Sequence, residues 1–143
     1  MPSAEHSVVI ERPIAEVFAF VADKENDARW RPGVADIRLI SRQGRGATYH
    51  QTVKGPGGRP VPADIEITEL EPNRRIAFRT IAGPVRPEGS YEFAEEDGGT
   101  RVTFSLRAKL RGLKRLMTPV VLRTMRSELD ALDNLKRELE QET

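Results

Sequence analysis

Polar and apolar positions alternate in short runs along the first 108 residues, and the period then lengthens to that of a helix. Glu5–Glu11 is β-branched and stops at Pro13, which predicts a strand. Pro13 suits a helix start, and Val17, Phe18 and Val21 follow at helical spacing; Asp23 ends this helix or caps the next. Lys24–Trp30 predicts a second short helix, stopped by Pro32 and Gly33. Strands follow at Val34–Ser41 and at Ala47–Lys54, where Tyr49, Gln51 and Val53 share a face. Val61–Glu71 alternates too, with prolines at 60 and 62 predicting a ragged or edge start. Ile76, Phe78 and Thr80 line one side of the next strand; Gly89, Tyr91 and Phe93 line another; Val102, Phe104, Leu106 and Ala108 line the last. Turn sequences separate them at Gln43–Gly46, Gly55–Pro60, Glu71–Arg74, Gly83–Pro87 and Asp97–Thr100.

From about residue 113 to 140 the spacing becomes three to four. Leu116, Val120, Leu129, Leu132, Leu135 and Leu139 recur on one stripe, with Met117, Val121 and Met125 beside them. Pro119 belongs near the start of this helix or kinks it. A helix of that length spans roughly 40 Å. The expectation is an α+β domain over residues 1–143: a curved antiparallel sheet of six to seven strands, wrapped around a long C-terminal helix, with two short helices after strand 1.

Composition narrows the function classes. The 143-residue chain is 38% hydrophobic, about 46% with its 11 glycines counted, so it supports an ordinary core. It has no cysteine, which excludes disulfides, thiolate metal ligands and a cysteine nucleophile. No apolar run approaches the ~18 residues of a membrane span, and the N-terminus does not read as a signal peptide. A cytoplasmic location is the expectation. Net charge is +1, which argues against a specific nucleic-acid binder, but the charge is segregated. Glu88–Asp97 holds five acids and no base; Arg101–Arg126 holds eight bases and no acid. The basic stretch reads either as a solvated face or as a rim, including Lys109, Arg111, Lys114 and Arg115, that meets an anionic ligand, lipid headgroup or partner. The helix also runs against its own dipole, with Lys114 and Arg115 in its first turns and Glu138, Glu140 and Glu142 in its last.

Phosphate-cradling, nucleophile-elbow and zinc-binding motifs are absent from the sequence; only His6 and His50 could ligate a metal through imidazole, and no cofactor is implied. Glu66 and Glu69 form no inward acid pair.

The segment VIERPIAEVFAFVADKENDARWRPGV resembles the opening of the SRPBCC (START-like) polyketide cyclase/dehydrase-related proteins, through Pro13, Val17-Phe18, Asp23, and Trp30 followed by Pro32 and Gly33. GRGATYHQ, ITELEPNRRIAFRT, EEDGGTRVTFSL and the closing LDALDNLKRELE fit in order and spacing. The resemblance implies the helix-grip fold and an apolar cavity under the C-terminal helix. It does not fix a reaction.

Trp30, Tyr49, Gln51, Phe78, Tyr91, Phe104, Met117, Val121 and Met125 are the expected ligand-binding residues, an apolar and aromatic set with a few polar groups. Three readings stand. The chain holds a small hydrophobic or aromatic molecule, lipid- or polyketide-like, without chemistry. It acts on such a molecule as a cyclase/dehydrase-type enzyme without metal or nucleotide. It binds a membrane or nucleic-acid surface through residues 101–126.

Overall fold

The computed structural model describes residues 3–41, 44–55, 58–83 and 85–141. The strands are β1 (Ser3–Ile10), β2 (Val34–Ser41), β3 (Thr48–Lys54), β4 (Pro60–Pro62), β5 (Ile65–Glu71), β6 (Arg75–Thr80), β7 (Glu88–Glu96) and β8 (Gly99–Arg107). They form one antiparallel sheet in the order β1-β8-β7-β6-β5-β3-β2, with β4 paired to β3. Cross-strand register fixes the faces. Ile67, Phe78, Gly89, Leu106 and Ala4 form one inward row, and Ile76, Tyr91, Phe104 and His6 the next. The opposite face carries charged residues paired across strands, including Arg79 with Glu66 and Arg75 with Glu69 and Glu92.

The expected strand Val61–Glu71 is split. Pro60 and Pro62 cannot donate to a ladder, and Ala63 and Asp64 leave it. The Ala63 N–H instead donates to the Gln51 carbonyl at 2.8 Å, and the Asp64 carboxylate accepts the Gln51 N–H at 3.1 Å. Between β7 and β8, Asp97 (φ 50°) and Gly98 (φ 81°) both take left-handed backbone, the requirement of a tight two-residue hairpin turn. The turn segments that contain Gln43, Pro56, Gly57 and Pro84 fall partly outside the described residues.

Helix α1 (Ile14–Ala22) starts after Pro13, whose carbonyl accepts the Val17 N–H at 3.1 Å. It buries Val17, Phe18 and Val21, with Phe18 edge-on to Phe93 at 5.2 Å. Asp23 performs both expected roles: it follows the last turn of α1, and its carboxylate accepts the Glu25 N–H, capping a 3-10 turn over Lys24–Arg29.

The long C-terminal helix is built from α2 (Thr118–Asp130) and α3 (Leu132–Gln141), preceded by a 3-10 segment at Gly112–Met117. Pro119 sits in the first turn of α2. Val121, Met125, Leu129, Leu132, Leu135 and Leu139 are buried. Leu116 and Val120 are not, although their spacing placed them on the stripe of Leu129. Val121, Met125 and Leu129 are four residues apart and share one stripe of α2, whereas Val120 stands nine residues before Leu129, about half a turn round the helix, and Leu116 belongs to the 3-10 segment in which no residue is buried.

The acidic end of α3 is balanced by tertiary partners that spacing could not reveal. Arg29 pairs with Glu138, and Lys136 holds Glu140 at 2.6 Å while also donating to the Val9 carbonyl. Arg12 donates to the carbonyls of Leu139 and Glu140, placing a cation on the helix C-terminus. Lys136 and the Glu11 N–H hold the Glu140 carboxyl below its usual range. Glu142 lies outside the described residues.

Gly99 brings β8 against the end of β1. A Cβ there would lie 2.5 Å from the Ile10 carbonyl oxygen, a backbone atom that cannot swing away. Gly99→Ala is therefore expected to lower stability by about 1–3 kcal/mol in urea unfolding, the range for forced overpacking. An unchanged midpoint would contradict this packing.

Candidate functional site

The inward faces of β6, β7 and β8 bring Phe78, Tyr91 and Phe104 together. Tyr91 and Phe104 stack at 4.3 Å and 14°, and Phe78 lies 6.1 and 6.4 Å from them. Trp30, at the end of the 3-10 turn, meets Tyr91 edge-on at 6.4 Å. Tyr49 and Gln51 enter from β3, and Val121 and Met125 from α2; all are buried, while Phe78 is half-buried. Met117 is 37% exposed in a segment with no buried residue, so the structure does not bring it to this group.

A charged cluster closes one end of the array, and it centres on residues that the sequence reading passed over. Asp27 is fully buried, and its Oδ2 lies 3.1 Å from Lys24 Nζ and 2.9 Å from an Arg31 nitrogen. Arg31 also donates to Gln51 Oε1 at 2.9 Å, and through Nε to Glu128 Oε2 at 2.9 Å. Gln51 donates in turn to the Ala63 carbonyl. Two cations face two carboxylates, so the cluster is neutral as a set. Gly33 makes room for it: a Cβ there would fall 2.6 Å from Glu128 Oε1.

Not every polar atom in this cluster has a partner. Lys24 Nζ is held by Asp27 as an ion pair, and among the described residues Asp27 Oδ1 and Trp30 Nε1 have no hydrogen-bond partner. The Lys24 ammonium also sits 4.2 Å from the Tyr91 ring centroid. Burial pushes the Lys24 amine below its usual range, with Asp27 acting the other way. Burial also opposes the Arg31 charge, but Glu128 and Asp27 hold the guanidinium above its ordinary value. The Tyr91 hydroxyl is driven well above its usual range by burial and then by Asp27. Tyr49 is raised by burial, partly offset by a hydrogen bond from the Lys24 backbone.

The arrangement has a match in sequence space. The family described as "Polyketide cyclase / dehydrase and lipid transport" matches residues 1–140. The chain belongs to this polyketide cyclase/dehydrase and lipid transport family. No curated protein sequence matches it. Among solved structures, TTHA0849 from Thermus thermophilus superposes with a TM-score of 0.81 at 23% identity, covering 95% of each chain. A START superfamily protein from Mycobacterium smegmatis gives 0.74 at 14% identity, covering 96% of this chain and 98% of that one. The di-domain ARO/CYC protein BexL, from the BE-7585A biosynthetic pathway, gives 0.75 at 18% identity and covers 99% of this chain and 51% of that one. At these identities the likeness shows the helix-grip, START-like fold.

His6, beside Phe104 in its inward row, is engaged by Asp133 at 3.0 Å, and His50 lies 3.1 Å from Asp64, both partly exposed. A depression of about 430 Å³ opens on the outer sheet face over Ala77, Ser90 and Ser105, with ion-paired walls. The signal missed in the sequence was the spacing of Lys24, Asp27 and Arg31. These three charges stand at i, i+3 and i+7, following Phe20-Val21 and bracketing Trp30, in and just after the segment expected to form a short helix.

Asp27 neutralises two buried cations, so Asp27→Asn is expected to cost about 3–5 kcal/mol in urea unfolding. Lys24→Met should cost less, because Arg31 still pairs with Asp27. The reverse order would contradict the geometry.

Opposite pH dependences follow from the two shifted groups. An unfolded tyrosine ionises near 10.0, below folded Tyr91, so the unfolded state loses its proton first and stability falls as pH rises above about 10. Folded Lys24 loses its proton below the unfolded value of 10.5, so its contribution to stability grows as pH rises toward that value. In melting temperatures measured against pH, Tyr91→Phe should remove part of the alkaline loss and Lys24→Met the gain below it. Profiles parallel to wild type would contradict the assigned burial.

Proposed function

We propose that this protein binds a small hydrophobic or aromatic molecule, lipid- or polyketide-like, between the sheet and the C-terminal helix. The observation that carries this reading is the set of buried polar atoms lacking hydrogen bonds at one end of an aromatic array. Orphaned buried polar groups are costly, and they concentrate where a site awaits a partner. A ligand ring would lie against Phe78, Tyr91 and Phe104, with Val121 and Met125 across from it. Its polar end would accept from Trp30 Nε1–H and Lys24 and donate to Asp27 Oδ1. Gln51 is committed to Arg31 and to Ala63, so its part is to position Arg31. The family description and the ARO/CYC and START names of the neighbours support both ligand classes.

A catalytic reading of the cyclase/dehydrase type is favoured by one observation on the same cluster. Lys24 and Asp27 form a buried acid–base pair in which the amine is held below its usual pKa, a property suited to moving a ligand proton. On this reading a bound methyl ketone such as 1-acetonaphthone exchanges its methyl protons in D2O, and Lys24→Met abolishes the exchange.

Calorimetric titration with 1-naphthol and with decanoate tests binding itself. Saturable one-to-one binding of at least one probe is expected. Trp30→Phe keeps an aromatic ring but removes the indole N–H, and should weaken 1-naphthol by about 2–10-fold, the worth of one hydrogen bond. Absence of saturable binding by both probes would overturn the reading.

A further inference from the structure

Five large apolar side chains are well exposed among the described residues, and four of them fall within eight consecutive positions: Leu113 (86%), Leu116 (80%), Met117 (37%) and Val120 (47%). Monomeric proteins rarely gather exposed apolar groups this way without a partner for them. The segment projects from the fold. None of residues 112–117 is buried, whereas α2 immediately behind them is anchored through Val121, Met125 and Leu129.

The charges carried by this segment itself have one sign. Lys109, Arg111, Lys114 and Arg115 are exposed and interleaved with the leucines, Arg123 and Arg126 follow along α2, and no acid occurs from residue 102 to 127. Three acids of the preceding hairpin pair with bases outside this segment, Glu88 with Arg107, Glu92 with Arg75 and Glu96 with Arg101.

From this juxtaposition we propose that residues 109–120 form a docking surface for an anionic lipid bilayer, with Leu113, Leu116 and Val120 entering the acyl boundary and the basic side chains meeting the headgroups. Exposed leucines framed by lysine and arginine are what an interfacial membrane segment requires. Nucleic acid would use the charge and leave the leucines in water. A second copy would bring a like-charged surface against this one. The segment lies on the bilayer and does not span it: no helix among the described residues is long and apolar enough to cross a membrane. The proposal does not depend on the ligand reading above.

Flotation with phosphatidylcholine vesicles, with and without phosphatidylglycerol, at low and high salt, tests it. The protein is expected to float with the anionic vesicles at low salt and to dissociate at high salt. Each base near an anionic surface is worth a factor of about five, so Arg111→Gln/Arg115→Gln should lower partitioning about 25-fold. Leu113→Ser/Leu116→Ser, at positions that fold without burial, should lower it at least about tenfold while leaving the melting temperature and 1-naphthol titration unchanged. Failure to bind anionic vesicles would overturn the proposal. So would vesicle binding indifferent to the leucine substitutions. A concentration-dependent dimer abolished by Leu113→Ser/Leu116→Ser, without vesicle binding, would overturn it in favour of a second copy.

Discussion

Asp27 joins three parts of the fold through a single carboxylate. Its Oδ2 neutralises Lys24 and Arg31, and Arg31 reaches Gln51 on β3 and Glu128 on α2. The 3-10 turn, the sheet and the C-terminal helix are thus tied by charge at a depth where each unpaired ion would cost several kcal/mol. Hydrophobic burial drives the helix onto the sheet, but it is not directional and would tolerate small slides of α2. A hydrogen-bonded guanidinium between two carboxylates fixes the position. Gly33 fits the same requirement, since any side chain there would crowd Glu128.

That constraint divides the C-terminal helix into halves with different roles. From Val121 to Leu139 the apolar stripe is buried, and the ends of α3 are held by His6, Arg12 and Arg29. Before Val121 the chain carries leucines that no strand covers. The clamp holds α2 beside the aromatic array, and the segment leading into it is left exposed. Both functional proposals draw on this division, one on the held half and one on the exposed half.

Much of the architecture could be read from alternation, because a strand's period of two assigns faces with little ambiguity. Tyr49, Gln51, Phe78, Tyr91 and Phe104 were all placed on the side that meets the helix, and register confirms that they share it. The helical stripe was less secure. At a period near 3.6, Val121 and Met125 continue the stripe of Leu129, while Val120 stands about half a turn away from it. Met117 precedes α2 in the 3-10 segment and stays outside with Val120. The charged cluster was the least legible. Lys, Asp and Arg read as solvated by default, and only the tertiary placement of Glu128 and Gln51 reveals that this set is inside.

Trp30 is the sole tryptophan, so its indole gives one resonance in a 1H–15N spectrum, and that resonance reports directly on whether ligand polarity is met at the charged end of the aromatic array. On saturation with 1-naphthol, a downfield shift of the Trp30 indole proton and slower exchange with solvent are predicted, as expected for an N–H that gains an acceptor. Saturable binding that leaves the indole resonance and its exchange rate unchanged would place the ligand elsewhere and contradict this assignment of the site.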